Sequence, residues 1–304
     1  MKPETQAGIA ERVTLIECPR DAWQGLAHHI PAAEKIAYLQ ALLDAGFCHL
    51  DAVSFVSPSA VPQMADSESV LAALQIPPDA EIIGIVANER GAERAIATGR
   101  VSTLGYPHSV SAAFLARNQH QTPDASLLLL AHLARLAAAS GSSMVAYLSM
   151  AFGNPYNEPW SLDSVLTASQ QIADCGVRQL SLADTVGAAT PVQIAETFAA
   201  VRARLPRLEI GLHLHARRDA AAALVRAAWN AGCRRFDSAL GGLGGCPFAQ
   251  DALVGNLPTE TLVESLAALN PSLAHHTPAQ LARLVSASCA LAAAANPPAH
   301  QESA

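Results

Sequence analysis

The sequence predicts an α/β fold in which a closed (β/α)₈ TIM barrel is followed by additional C-terminal helices. Short apolar runs alternate with longer segments of helical periodicity, and this alternation is typical of a parallel sheet. Eight strand–helix units follow one another over about 250 residues, which is the size of a closed barrel. The alternative, an open doubly wound sheet, would carry a Gly-x-Gly-x-x-Gly turn after its first strand, where this chain has Glu17-Cys18-Pro19-Arg20-Asp21.

Turn and cap residues delimit the individual elements. In the second unit, for example, Pro31 marks the start of a helix and Gly46 its end. The predicted strands are Val13–Cys18, Cys48–Phe55, Glu81–Ala87, Val101–Tyr106, Met144–Ala151, Gln179–Ala183, Leu208–His215 and Arg235–Leu240. The predicted helices are Pro31–Ala45, Ser67–Leu74, Glu89–Thr98, Ser126–Ala139, Leu162–Asp174, Pro191–Leu205, Asp219–Ala231 and Thr259–Leu269, with Pro278–Ala295 beyond the barrel.

Composition indicates one large globular unit. Hydrophobic residues make up 51% and charged residues 15% of the 304 residues, so a sizeable core can form. We expect a single catalytic domain over 1–304, with the barrel at about 11–270, a helical extension at about 271–295 and a short tail at 296–304. The net charge is -7 and no basic tract occurs, which argues against a nucleic-acid-binding surface.

Cysteine usage and hydropathy bear on the compartment. The six cysteines are scattered without a Cys-x-x-Cys pair, so neither a disulfide framework nor a zinc ribbon is expected. No run of 18 apolar residues occurs, so no membrane span is expected either. The first residues lack the apolar segment of a signal peptide, and we therefore expect a cytoplasmic protein.

Residues capable of catalysis collect where the predicted strands end. Active sites of (β/α)₈ barrels lie at that rim, and the eighth strand closes against the first, so residues distant in sequence meet there. Loops also begin at strand ends, which would place polar residues there without a function, but the clustering favours a site. The candidates are Arg20 and Asp21 after the first strand, Asp51 in the second, Asp184 ending the sixth, His213 and His215 ending the seventh, and Cys246 and Asn256 after the eighth.

A metal site is predicted from four of these candidates. His213 and His215 are two apart in a strand and therefore point to the same side. The carboxylate of Asp21 and the carboxamide oxygen of Asn256 complete a mixed oxygen and nitrogen ligand set. Such a set suits Mg²⁺ or Mn²⁺, which we predict as the cofactor; zinc could bind the histidines, but the set contains no thiolate.

The other candidates each have a structural alternative. Arg20 is either half of a surface ion pair or the group that stabilises an oxyanion or enolate beside the metal. Asp51 could tether Arg20 from the adjacent strand, and Asp184 is either a helix N-cap or a site carboxylate. Cys246 stands between glycines and a proline, as expected of a thiol that a glycine loop brings to a substrate as acid or base. His213 is also a candidate base.

At these residues the chain resembles the hydroxymethylglutaryl-CoA lyases, from Val13 to about Leu269. The glycine–cysteine loop and the Ser-Phe-Val-Ser-Pro segment are specific, whereas His-x-His is shared with related barrel enzymes that condense or carboxylate 2-oxo acids. The matching segments are Glu17-Cys18-Pro19-Arg20-Asp21-Ala22-Trp23-Gln24, Ser54-Phe55-Val56-Ser57-Pro58, Val61-Pro62-Gln63-Met64-Ala65-Asp66, Gly153-Asn154-Pro155-Tyr156, Ser181-Leu182-Ala183-Asp184-Thr185-Val186-Gly187, His213-Leu214-His215 and Gly241-Gly242-Leu243-Gly244-Gly245-Cys246-Pro247-Phe248-Ala249-Gln250.

The resemblance implies a metal-dependent lyase of leucine degradation that cleaves (S)-3-hydroxy-3-methylglutaryl-CoA to acetyl-CoA and acetoacetate. In such an enzyme Arg20 would stabilise the enolate, and Cys246 would act in proton transfer. The expected partner is an acyl-CoA substrate, and the extra C-terminal helices make a homodimer plausible. The implied metal ligands are Asp21, His213, His215 and Asn256.

Three departures from the family pattern leave alternatives open. Asp51 stands where many members carry Glu, Ala216 stands where Asp is common, and the segment from Cys246 to Asn256 is one residue longer. These changes are compatible with a related 3-hydroxy-acyl-CoA as substrate. A Claisen-type 2-oxo acid synthase is a second alternative, although this chain lacks the glycine–glutamate–arginine loop of that group. A ligand-binding barrel without activity is the third.

Overall fold

A closed barrel of parallel strands forms the centre of the computed structural model, which describes residues 12–245, 254–273 and 276–296. The strands are β1 (Thr14–Glu17), β2 (His49–Ser54), β3 (Glu81–Ile85), β4 (Thr103–Ser109), β5 (Ser143–Ser149), β6 (Gln179–Asp184), β7 (Glu209–Leu214) and β8 (Arg235–Ser238). Each strand pairs with the next in sequence, and β8 pairs with β1 to close the ring. The predicted (β/α)₈ barrel is therefore confirmed, and the open doubly wound alternative is wrong.

Helices surround this barrel, in the connections between strands and after the last strand. They are α1 (Pro19–Trp23), α2 (Ala32–Asp44), α3 (Ser67–Ala73), α4 (Glu89–Ala97), α5 (Ala112–Gln119), α6 (Pro123–Ser140), α7 (Leu162–Asp174), α8 (Pro191–Arg204), α9 (Arg218–Asn230), α10 (Thr259–Leu269) and α11 (Pro278–Ala295). Short 3₁₀ turns lie at Pro62–Met64, Leu240–Gly242 and Pro271–Leu273. Every strand and helix predicted from the sequence has its counterpart here.

Two helices were not predicted. The first, α1, spans only five residues, which is too short to show a helical period. The second, α5, is delimited by caps: the Ser111 hydroxyl accepts the Phe114 N–H at its start, and His120 adopts a left-handed conformation with φ 54° at its end. The fourth unit of the barrel therefore carries two helices, α5 and α6.

Strand β4 continues past Tyr106, where the prediction ended before a proline. Pro107 lies inside the strand and is paired in register with Tyr147 of β5. Two residues earlier, the Gly105 carbonyl accepts the Val86 N–H from the β3 side. Pro107 faces that same side, but β3 ended at Ile85, so its missing N–H leaves no ladder bond unmade.

The apolar core has two parts, inside the barrel and around it. The inner part consists of Ile16, Cys18, Ile83, Ile85, Val145 and Tyr147. The outer part is much larger and fills the space between the strands and the helices. Because both faces of each strand are covered, the strands read as almost continuous apolar runs in the sequence.

The C-terminal helix α11 packs against the barrel rim rather than extending away from it. The Ser288 hydroxyl of α11 donates to the Leu240 carbonyl at 3.3 Å, and the His28 N–H donates to the Ala295 carbonyl at 2.8 Å. The helix therefore contacts the segments that follow β1 and β8. None of the helices in the described ranges is long and apolar enough to cross a membrane.

A buried carboxyl group joins β1 to the segments after β8. Glu17 is 1% exposed; it accepts the Leu240 N–H at 2.8 Å and the hydroxyl of Thr259 at the start of α10. Burial raises the pKa of Glu17 to about 8, although both hydrogen bonds oppose the shift. Glu17 is therefore protonated in the folded chain at neutral pH.

We predict that Glu17→Gln flattens the pH dependence of stability. Between the unfolded pKa of 4.5 and the folded pKa of about 8, unfolding of the wild type releases the Glu17 proton. This group therefore lowers the free energy of unfolding as pH rises, by at most about 1.4 kcal/mol per pH unit. Glutamine mimics the protonated acid, so the variant should exceed the wild type in stability above pH 8.

Urea unfolding at pH 6, 7, 8 and 9 measures this slope. Glu264→Gln, on the exposed side of α10, is the matched control and should keep the wild-type slope. Identical slopes for Glu17→Gln and the wild type would show that Glu17 is ionised in the folded chain.

Candidate metal centre and active site

The short helix α1 places two charged side chains at the barrel rim directly after β1. Pro19 occupies its first turn, where a missing N–H costs nothing, and Arg20 and Asp21 follow. Both residues are only 7% exposed. Arg20 is therefore not half of a surface ion pair, and that alternative from the sequence is wrong.

Asp21, His213 and His215 form a compact group at this rim. Each offers one ligand atom, and these atoms all lie within 4.8 Å of one another. His213 is in β7 and His215 follows it, so the two imidazoles point to the same side, as the spacing of two residues predicts. The structure thus brings together three of the four predicted ligands in one cluster.

The fourth predicted ligand, Asn256, lies beside this cluster. Its backbone pairs with His215 in an antiparallel bridge, and its side-chain amide donates to Asp21 Oδ2 at 2.8 Å. The same amide nitrogen also donates to the Leu243 carbonyl at 2.8 Å. Because the nitrogen is engaged twice, the side-chain oxygen of Asn256 is the atom left for a cation.

The protonation states of Asp21 and His215 suit a metal ion. Burial alone would raise the pKa of Asp21, but the charge of Arg20 and the nearby histidines lower it to about 2. Burial, followed by the charge of His213, lowers the pKa of His215 to about 4. Metal ligands must be an ionised carboxylate and neutral imidazoles, so Asp21 and His215 are ready to bind.

His213 is held by a carboxylate that the sequence analysis did not single out. Its Nδ1 lies 3.2 Å from Asp237 Oδ2, and the same oxygen accepts the Ser181 hydroxyl at 3.1 Å. A carboxylate on Nδ1 fixes the imidazole and leaves Nε2 as the nitrogen available to a metal. The available signal was the pairing of Asp237 with His213 in adjacent strands, which only the register reveals.

Arg20 is fixed by two carboxylates and an amide. Its Nε donates to Asp51 Oδ1 at 3.0 Å and its Nη2 donates to Asp51 Oδ2, so Asp51 tethers it bidentately from β2 as predicted. Its Nη1 donates to Asp21 Oδ1 and to Gln24 Oε1, both at 3.0 Å. Gln24 is a second residue that the sequence analysis left without a role; it donates to Asp21 Oδ1 at 2.7 Å.

Of the remaining candidates, Asp184 is not a member of the cluster and Cys246 is not described. Asp184 accepts the Ala188 N–H and the Ala189 N–H, each at 2.9 Å, and burial raises its pKa to about 6. The cap of α8 is Thr190, so Asp184 is not the helix N-cap that the sequence left open. Cys246 falls outside the residues that the structure describes.

The site as a whole can bind a divalent cation next to a fixed guanidinium. A carboxylate and two imidazoles come together here with the Asn256 amide beside them, and this donor chemistry fits a divalent cation. The Arg20 side chain contacts the Asp21 ligand directly, so a substrate oxygen at the metal would lie near its charge. This arrangement can stabilise an oxyanion or an enolate.

Comparison with known proteins places these features in one family. The family model described as HMGL-like matches residues 13–290. Mitochondrial hydroxymethylglutaryl-CoA lyase of Bos taurus is 34% identical, with 94% of this chain and 86% of that protein covered. The (R)-citramalyl-CoA lyase of Chloroflexus aurantiacus is also 34% identical, with 83% of each covered.

A solved structure gives the same result. An HMG-CoA lyase from Acinetobacter baumannii, in complex with coenzyme A and 3-methylmalate, superposes with a TM-score of 0.86 at 28% identity. The match covers 98% of this chain and 99% of that one. Fold and site together define a (β/α)₈ barrel with an aspartate–histidine cluster at its C-terminal rim. The chain belongs to the HMGL-like family, and with its named relatives it is assigned to the carbon–carbon lyases.

We predict that the wild-type chain binds one Mn²⁺ and that Asp21→Asn weakens binding at least 100-fold. The substitution keeps the shape but removes the only carboxylate of the cluster, and a hard cation loses its charged ligand. Isothermal titration calorimetry on EDTA-treated protein measures the affinity. Asp219→Asn, an exposed carboxylate on the same rim, is the control and should bind as the wild type does. Equal affinities for Asp21→Asn and the wild type would place the metal elsewhere.

Proposed function

We propose that this protein cleaves (S)-3-hydroxy-3-methylglutaryl-CoA to acetyl-CoA and acetoacetate. The observation that carries the proposal is the contact of Arg20 with Asp21. This contact sets a fixed positive charge beside the residues that would hold a divalent metal ion. Cleavage of a 3-hydroxy-acyl-CoA needs both: a group that acidifies the hydroxyl and a group that stabilises the enolate. The relatives named above act on substrates of this class.

In this proposal Asp21, His213, His215 and Asn256 hold Mg²⁺ or Mn²⁺. When bound, the metal lowers the pKa of the tertiary hydroxyl and orients it. Loss of the hydroxyl proton lets the C2–C3 bond break, so that acetoacetate forms its ketone and the bonding electrons pass to the thioester. Arg20 then stabilises the enolate oxygen, held in place by Asp51.

Two protons move in the reaction. His213 is the proposed acceptor of the hydroxyl proton, because Asp237 on Nδ1 stabilises the imidazolium that results. Nδ1 faces Asp237, so metal binding and proton uptake would both use Nε2; the proposal therefore assigns the proton to His213 or, where His213 would bind the metal, to an adjacent base. Cys246 is the proposed donor of the proton to C2.

Asp184 is the proposed site carboxylate of β6, and it orders the turn that follows this strand at the rim.

A related 3-hydroxy-acyl-CoA is the second candidate substrate. The relative from Chloroflexus is named (R)-citramalyl-CoA lyase and has the same 34% identity as the hydroxymethylglutaryl-CoA lyase of Bos taurus, over 83% rather than 94% of this chain. This chain also departs from the family pattern at Asp51 and Ala216. In both candidate reactions the C2–C3 bond breaks and the enolate of acetyl-CoA forms. The two substrates therefore differ only in the part of the acyl group that becomes the other product.

The other inferences from the sequence belong to this proposal as well. We propose one catalytic unit over 1–304, an acyl-CoA as partner, a homodimer, and a place in leucine degradation in the cytoplasm. The absence of a basic tract supports a protein without a nucleic-acid partner.

We expect metal-dependent release of acetoacetate from (S)-3-hydroxy-3-methylglutaryl-CoA. EDTA-treated protein should be inactive and should regain activity with Mg²⁺ or Mn²⁺, because the hydroxyl is not acidified without the ion. A parallel assay on citramalyl-CoA compares kcat/KM for the two substrates. Turnover of citramalyl-CoA alone would replace the proposed substrate with the second candidate. If folded, metal-loaded protein turns over neither substrate, both candidate functions are wrong.

We also expect Asp51→Asn to lower kcat about 100-fold with little change in KM. Without the carboxylate, Arg20 loses its bidentate partner, and enolate stabilisation depends on its orientation. Asp51→Glu keeps the charge and should retain most of the activity. Steady-state kinetics with saturating Mg²⁺ measures both variants. A wild-type kcat in Asp51→Asn would remove Asp51 from the mechanism.

A further inference from the structure

A cavity lined by arginines lies at the N-terminal rim of the barrel, at the opposite end from the metal cluster. Its volume is about 290 Å³, and it is formed where β1, β7 and β8 begin, beside the last turn of α8. Its charged lining consists of Arg12, Arg202, Arg234, Arg235 and the carboxylate Glu209. Among the described residues that line it, positive groups therefore outnumber negative ones by four to one, although the whole chain has a net charge of -7.

The fold assembles this charge from separate segments of the chain. Arg12 precedes β1, Arg202 lies in the last turn of α8, and Arg235 is the first residue of β8. Pairing of β8 with β1 closes the barrel and brings these segments to one rim. The arginines are therefore brought together without any basic tract in the sequence.

Arg202 and Arg12 have guanidinium groups that are free to bind an anion. Neither side chain forms a hydrogen bond or an ion pair in the described part of the chain. The Arg202 guanidinium lies against the turn before β8, where a Cβ added to Gly232 would be 1.7 Å from Nη1 and 2.7 Å from Cζ. Gly232 has a φ of 95°, which already favours glycine, and the missing side chain also leaves room for this guanidinium at the cavity.

The carboxylates near the cavity are already engaged. Glu209 Oε2 accepts a hydrogen bond from Gln179 at 2.9 Å, and Glu209 Oε1 lies 3.7 Å from Arg235 Nη1. Glu81 lies 3.8 Å from the same nitrogen. Both carboxylates therefore compensate the charge of the buried Arg235 and leave the two free guanidinium groups unbalanced.

Further arginines raise the positive potential at this rim. A second cavity, of about 440 Å³, shares Glu209 with the first, and Arg178 and Arg207 are among the residues that line it. Neither of these arginines forms an ion pair within the described ranges. Clefts lined by charges of one sign concentrate the electric field and attract counter-ions. The rim therefore attracts a multiply charged anion.

We propose that the cavity beside α8 is a binding site for a small phosphate-bearing anion, which Arg202 and Arg12 bind directly. A guanidinium presents its N–H groups in a planar fork that fits two oxygens of a phosphate. Thr14 lines the same cavity, and its hydroxyl makes no hydrogen bond in the described part of the chain, so it can donate a further contact. The site lies at the rim opposite the metal cluster and does not depend on the proposed function.

Isothermal titration calorimetry with inorganic phosphate measures this binding, on EDTA-treated protein and with sodium chloride added to keep the ionic strength constant. The wild type should show saturable binding. Arg202→Met keeps an unbranched stem but removes the charge and the donors, so the affinity should fall about 10-fold. Arg204→Met removes a charge from the same last turn of α8 but not from the cavity, and it should bind phosphate as the wild type does.

A second variant should change the affinity in the opposite direction. Glu209→Gln keeps the size of the side chain and removes the negative charge that repels a phosphate, so the affinity should rise about 3-fold. Damage to the fold would weaken binding rather than strengthen it. This variant therefore separates a role in the site from a loss of structure.

A wild type that binds no phosphate, or a folded Arg202→Met that binds it as the wild type does, would overturn the proposal. Equal losses in Arg204→Met and Arg202→Met would also overturn it, because they would show diffuse attraction by surface charge instead of a site. If Arg202→Met does not fold, a Glu209→Gln affinity at or below the wild-type value decides against the site. Release of acetoacetate at the other rim tests the proposed function separately, so the failure of either proposal leaves the other standing.

Discussion

The pairing of β8 with both β1 and β7 is the constraint on which the site depends. It sets Asp237 level with Ile16 on one side and with His213 on the other. Asp21, just after β1, therefore meets a histidine from β7 and Asn256, although Asp21 and Asn256 are 235 positions apart. Since parallel strands present their C-terminal ends on one rim, closing the ring is what makes a single metal cluster from these distant segments.

Charge balance is the second requirement, because the rim and the barrel interior contain several buried ions. Taking an isolated carboxylate out of water costs several kcal/mol, and only close opposite charges and hydrogen bonds offset that cost. Arg20 lies between Asp51 and Asp21 and forms an ion pair with each of them. Preorganised charge of this kind is what enolate chemistry requires.

The sequence predicts the architecture of this molecule better than it predicts the residues that hold the site residues in place. Alternating apolar runs and caps predict the eight units, and the spacing of His213 and His215 predicts two ligands on one side. Asp237 and Gln24 could not be predicted from the sequence. The role of Asp237 arises from strand register and that of Gln24 from one turn of a five-residue helix, and neither leaves a recognisable sequence pattern.

Two of the three departures from the family pattern lie at positions where the structure shows the local contacts. At the first, Asp51 reaches Arg20 with both carboxylate oxygens, next to a register shift of β2 between Asp51 and Val53. Ala216 lacks a carboxylate, yet its N–H donates to the Gly255 carbonyl at 3.0 Å and so holds the residue before Asn256. Both positions therefore keep contacts that fix Arg20 and the chain before Asn256, so neither departure by itself indicates a different reaction.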